Sequence, residues 1–221
     1  MNKPGKNTIL KSAAALGLVA VIGSALLTVV YHLTADRIAA QERQAVQRQL
    51  SRILPPERYD NELQDDRISI LDETYFPKGQ TVTAYRARAA GKPVALIFRF
   101  TAVNGYNGDI LLLGGFYGVG SLAGVRVISH KETPGLGDGI EEDKSDWVLG
   151  FEGKSLTRPE QAGWAVRRDG GVFDQFTGAT ITPRAIVIAV HAALEYFEQH
   201  EEELFNMPSG AGMLKSEDGS P

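Results

Sequence analysis

The chain has 221 residues, 43% of them hydrophobic and 23% charged, with 24 Gly and 10 Pro. That is enough apolar material for one packed domain with appendages, and it excludes a wholly disordered, collagen-like or coiled-coil protein. A net charge of −4 supplies no basic excess for nucleic acid, and the absence of Cys removes disulfides, thiol nucleophiles, Cys-ligated zinc and iron–sulfur clusters.

Taken in chain order, the first element is a membrane anchor. Residues 12–31 (SAAALGLVAVIGSALLTVVY) carry no charge and are followed by His32 and Leu33. At ~1.5 Å per residue a helix over 12–33 spans the ~30 Å of a bilayer's hydrocarbon. Lys3, Lys6 and Lys11 precede it, so the positive-inside rule puts residues 1–11 in the cytoplasm and everything after about residue 33 outside. The competing reading is a cleaved leader processed near Leu33-Thr34-Ala35; the apolar run is long for that, and Leu sits badly at the cleavage site. Residues 34–56 keep helical patterning, with Ile38, Val46, Leu50 and Ile53 on one side, and predict a stalk that stops at Pro55-Pro56.

Residues 57–206 read as the exterior domain. Alternating segments at 67–71 (RISIL) and 81–87 (TVTAYRA) predict strands. Gly91-Lys92-Pro93 predicts a turn into 94–100 (VALIFRF), and further strands are expected at 109–115. Residues 119–129 predict a strand pair, 164–168 with 172–176 a hairpin across Asp169-Gly170-Gly171, and 143–151 a short helix. Thr182-Pro183 is read as an N-cap and first helical position, followed by Ile186, Val190, Ala193, Leu194 and Phe197 on one face of a long helix. Residues 207–221 are polar and small and are expected to be disordered. Hairpins with few covering helices predict an α+β domain on a twisted, mainly antiparallel sheet.

The four His (His32, His130, His191, His200) lack metal-ligand spacing, and no metal or catalytic residue is assigned. Any redox chemistry must therefore use a bound organic cofactor. The segment Asp174-Gln175-Phe176-Thr177-Gly178-Ala179-Thr180-Ile181-Thr182 offers a seat for one. Small residues leave the backbone uncrowded, and a helix begins immediately after, with unsatisfied N–H groups that suit a phosphate. The plainer reading of the same residues is a tight strand-to-helix turn chosen for capping.

This segment resembles the flavinylation motif Asp-x-x-(Ser/Thr)-Gly-Ala-Thr-x-Thr of the FMN-binding subunits of membrane redox pumps. His130-Lys131-Glu132-Thr133-Pro134-Gly135-Leu136-Gly137 and Gly105-Tyr106-Asn107-Gly108-Asp109-Ile110 match two further blocks of those proteins. With one amino-terminal span, the order of blocks resembles the RnfG/RsxG family of the Rnf (Rsx) electron-transport complex over roughly residues 8–205.

The resemblance implies FMN joined through its phosphate to Thr180 by a separate flavin transferase. Asp174, Thr177, Gly178 and Ala179 then belong to the attachment sequence, and Thr182 either supports the phosphate or caps the helix. It further implies that Glu132, Thr133, Gly135 and Leu136 build the ring's surroundings. For Glu132 an ordinary paired surface carboxylate stays open; His130 reads as structural, Trp147 and Trp164 as core, and Tyr106 as either site or sheet. The implied role is an inner-membrane electron carrier with a periplasmic FMN domain, working with other complex subunits in redox-driven ion translocation and turning over no substrate alone. The alternatives are an NqrC-like subunit of a sodium-translocating quinone reductase and a periplasmic scaffold that never receives flavin.

Overall fold

The computed structural model describes residues 6–215, excepting the side chains of 6–14, 32, 36, 39 and 213–215. The tail at 1–11 is thus outside the described residues except for the start of its helix. Contacts divide the chain into one unit ending at Val46 and another starting at Gln47.

Helix α1 runs unbroken from Lys6 to Ser51 and includes a stretch long and apolar enough to cross a membrane. Leu16, Leu18, Val19, Val21 and Tyr31 are exposed on all its sides, as in a helix whose solvent is lipid. Two of its hydroxyls are satisfied within the helix: Thr28 Oγ1 donates to the Ser24 carbonyl and Thr34 Oγ1 to that of Val30, both at 2.8 Å.

The helix stops at Ser51, before the prolines. The N–H groups of Ile53 and Leu54 both donate to the Leu50 carbonyl at 3.0 Å, tightening the last turn. The expected stalk over 34–56 is corrected at its far end. Leu50, Ile53 and Leu54 are buried in the second unit, and Gln47 Nε2 donates to Tyr59 Oη at 3.0 Å. Three apolar residues packed so close together in the chain need a protein surface to cover them.

The second unit is built on a six-stranded sheet in the order β5-β4-β3-β2-β1-β6. Strands β1 (Arg67–Asp72), β2 (Val82–Ala89), β3 (Lys92–Gly105), β4 (Gly108–Tyr117) and β5 (Ser121–Ser129) form an antiparallel meander. The β2–β3 turn uses Ala90 and Gly91, both at positive φ, as a two-residue hairpin requires. Period-two alternation gives the sheet two covered faces. Along β3, Leu96, Phe98 and Phe100 point to helix α2 (Ile181–Asn206), where Phe98 and Phe116 lie 4.8 Å apart and Phe116 stacks on Phe197 at 5.4 Å. On the other face Ile97 pairs with Gly115, against which Ile53 sits.

Three expectations are corrected. Residues 119–129 hold one strand, Ser121–Ser129, preceded by a turn at 118–120 closed by the Gly120 N–H on the Tyr117 carbonyl. The 164–176 region is no hairpin. It holds one 3₁₀ turn, Arg167–Asp169, and a single parallel bridge, Val166 to Phe173, because Trp164, Val166 and Phe173 are drawn into the core instead of pairing along an edge. The tail is not disordered over 207–215. Strand β6 (Gly212–Lys215) pairs parallel to β1, whose open edge offers backbone groups to any chain within reach. Residues 216–221 lie outside the described residues. The helix expected at 143–151 is a 3₁₀ helix, Asp146–Phe151, capped by Ser145 Oγ accepting from the Trp147 N–H at 3.2 Å.

Arg86 ties the end of α2 to the sheet. It is buried, donates to the carbonyls of Leu204, Phe205 and Met207, and pairs with Asp66. Burial pushes the Asp66 carboxyl up, but hydrogen bonds from Arg88, Ser209 and Arg86 outweigh it and hold it below the usual carboxylate range. Asp66→Asn is therefore expected to cost about 3 kcal/mol at neutral pH by stranding a buried guanidinium. A depressed folded-state value stabilises above the unfolded value and ceases to do so as pH falls through it. Urea melts of the two proteins should accordingly converge below about pH 4.

Candidate functional site

Three segments far apart in sequence meet at one end of the sheet. The β3–β4 hairpin turns at Tyr106-Asn107, between the paired Gly105 and Gly108. The chain leaving β5 folds back on itself, the N–H groups of Leu136 and Gly137 both donating to the Thr133 carbonyl at 3.1 and 2.9 Å. Helix α2 begins against both. Between them lies a cleft of about 120 Å³, walled by Tyr106, by Glu132, Thr133 and Leu136, and by residues 178–182.

The turn into α2 is closed by the Ala179 N–H on the Phe176 carbonyl at 3.0 Å, with Gly178 at φ +81°. A Cβ at Gly178 would be strained there and would stand 3.3 Å from Leu136 Cδ1, so only glycine keeps this wall of the cleft open. Thr180 is the N-cap residue, at φ −88° and ψ −28°, yet its side chain makes no capping hydrogen bond. Thr180 lines the cleft beside first-turn N–H groups that have no carbonyl one turn earlier. An anionic ester with a small-residue approach suits that donor set.

Thr182 is corrected from the expected N-cap. It is the second helical residue, fully buried, and its hydroxyl donates to Glu132 Oε2. Pro183 is the third helical residue, where a missing N–H still costs no helical bond. Glu132 is not a paired surface carboxylate. It is 4% exposed, and its Oε1 accepts the Asn107 N–H at 3.0 Å. His130 supports this loop: its Nδ1 accepts the Glu132 N–H at 3.0 Å, which leaves the proton on Nε2, 3.1 Å from Glu141 Oε1.

The fold thus gathers Glu132, Thr133, Leu136, Gly178, Ala179, Thr180 and Thr182 around one cleft. Gly135 and Thr177 border the adjoining hollow, about 550 Å³, together with Leu136, Lys144 and Phe176. Asp174 is not among them. It is exposed, 2.9 Å from Arg167 in an ion pair, and only its carbonyl is used inward, by the Trp147 indole N–H at 2.7 Å. Trp164 is core, while Trp147 is half-buried against Phe151 and Phe176. Sequence reasoning missed Asn107, whose backbone N–H holds Glu132, and Ile181 and Lys144, which border the cleft and the hollow. Only the Gly-Tyr-Asn-Gly block hinted at the first.

Comparison with known proteins gives matches along most of the chain. The profile of a family described as "FMN-binding domain" matches residues 105–195, and that of the "RnfG N-terminal region" matches residues 1–53. The chain is similar to proteins named as the G subunit of an ion-translocating oxidoreductase complex. The one from Pseudomonas aeruginosa (strain UCBPP-PA14) is 47% identical over 212 residues, 96% of this chain and 99% of that protein. Those from Pseudoalteromonas atlantica (strain T6c / ATCC BAA-1087) and Vibrio cholerae serotype O1 (strain M66-2) are 44% and 42% identical over 201 residues, 91% of this chain and 94% and 96% of theirs.

Proposed function

The chain belongs to the family of G subunits of ion-translocating oxidoreductase complexes, flavoproteins that serve electron transport, and on that premise we propose that it carries FMN as a phosphoester on Thr180. The observation that carries this reading is an N-cap threonine that makes no side-chain capping bond and lines a cleft at a helix N-terminus. The same hydroxyl would be the nucleophile of attachment. Its oxygen bonds to the flavin-side phosphorus of FAD, the pyrophosphate bond breaks, AMP leaves and the threonyl proton goes to solvent, with a separate flavin transferase and magnesium supplying catalysis.

Once attached, the flavin supplies one- and two-electron redox chemistry at a fixed point on the chain. The protein's own residues hold it there. First-turn N–H groups of α2 would hold the phosphate, Gly178 and Ala179 would leave its approach clear, and Leu136 and Tyr106 would offer apolar surface to the ring. Exposed Asp174 and Thr177 are accessible to the transferase, which fits a recognition role better than a ligand role for Asp174. The protein relays electrons within the assembly and needs no substrate pocket of its own. Peptide mapping of protein co-expressed with the transferase tests this directly: the peptide spanning 177–182 should carry the mass of FMN, and an unmodified peptide would refute the assignment.

The three lysines ahead of the apolar run support a periplasmic domain and a cytoplasmic tail. Alkaline phosphatase fused after residue 206 is expected to be active, and fused after residue 11 inactive. The reverse pattern would invert the topology.

A further inference from the structure

Glu132 stands out as a buried charge with neutral partners. Its two oxygens accept from the Asn107 N–H and the Thr182 hydroxyl, and no cation pairs with it among the described residues. Each contact comes from a different wall of the cleft, so one carboxylate joins the β3–β4 turn, its own loop and the start of α2. Thr182 is the second residue of α2, which sets the carboxylate at the positive end of the helix dipole. That partial charge and the two donated hydrogen bonds both favour negative charge on the carboxylate, and among the described residues no Lys or Arg pairs with it.

We infer that Glu132 is a positioning residue that also fixes a negative charge in the cleft and thereby lowers the reduction potential of the tethered flavin. This rests on the flavin being attached at Thr180. An electron arriving from a one-electron carrier adds one negative charge to the ring until a proton follows it from solvent. Glu132 is 4% exposed, and a carboxylate buried in the wall of the same cleft would oppose that charge more than one in open water. Nothing is transferred to or from Glu132 itself; it acts through its field and through the residues it holds.

The test is a mediated redox titration, followed by flavin absorbance, of the full-length flavinylated chain in detergent. Glu132→Gln keeps the side-chain shape and removes the charge; it is expected to retain covalent flavin with a raised midpoint potential. Thr182→Val loosens the same tie but leaves the charge, and its potential is expected to stay level or fall. A purely structural role would move both variants in the same direction, and that result overturns the inference. An unchanged potential in Glu132→Gln, or a folded Glu132→Gln protein without flavin, overturns it too. Should Glu132→Gln not fold, Thr133→Glu adds a second carboxylate on the exposed rim of the same cleft and must lower the potential; no fall there refutes the inference. Failure of the attachment site is read separately beforehand, as wild-type protein without fluorescence on a denaturing gel.

Discussion

Thr180→Ala is expected to remove all the flavin fluorescence that the wild-type chain retains on a denaturing gel, whereas Thr177→Ala should leave the linkage site available. The alanine lacks the only atom that can hold the phosphorus, so the loss is complete and not graded. Misfolding does not account for it. An N-cap threonine is ordinarily worth about 1 kcal/mol through its hydrogen bond to the helix, but Thr180 makes no such bond. Its removal should therefore leave the thermal midpoint nearly unchanged, and equal melting curves would isolate the effect to chemistry. Thr180→Ser retains a nucleophilic oxygen and is expected to restore labelling. Fluorescence persisting in Thr180→Ala would transfer the linkage to another hydroxyl. Thr182 is a poor substitute, being fully buried and already engaged with Glu132.

A chain begun at Gln47 is expected to fold as a soluble domain, and one begun at Glu57 to be largely unfolded. The second lacks Leu50, Ile53 and Leu54, which are 0%, 4% and 0% exposed. Burying an aliphatic side chain contributes about 2 kcal/mol, so losing three removes roughly 6 kcal/mol, comparable with the ~5–15 kcal/mol that holds a whole domain. The sheet is shaped for this segment. A Cβ at Gly115 would lie 2.3 Å from Ile53 Cγ2, so β4 carries glycine where the segment crosses it. Denaturant titration followed by Trp147 and Trp164 fluorescence would measure the difference. Equal midpoints for the two chains would put the domain boundary back at residue 57 and make the contact incidental.

Much of the fold is legible in the residues because it rests on local periodicity. An uncharged run of twenty residues reads as a spanning helix whatever follows it, and the alternation at 67–71 and 81–87 gives the sheet's antiparallel start. Elements whose reason is not local escape that reading. At 164–176 the alternation is real, but Trp164, Val166 and Phe173 serve a core contributed by other segments. Residues 212–215 carry little strand signal because their pairing is made by backbone groups on β1, far earlier in the chain. Thr182 has the right neighbours for a cap, and only the position of Glu132, fifty residues upstream, explains why its hydroxyl faces inward.

The sequence by itself determined the long apolar helix, the α+β class, and the 174–182 segment that resembles a flavinylation motif, because each is written in consecutive residues. What only the tertiary structure decided is the cleft: that Glu132 is buried, that Asn107 and Thr182 hold it, that Asp174 stands outside, and that the stalk's end belongs to the domain. Burial and electrostatic environment depend on which distant segments meet. A glutamate spells the same in a solvated loop and in a closed wall, and its chemistry differs because water has been excluded from one of them.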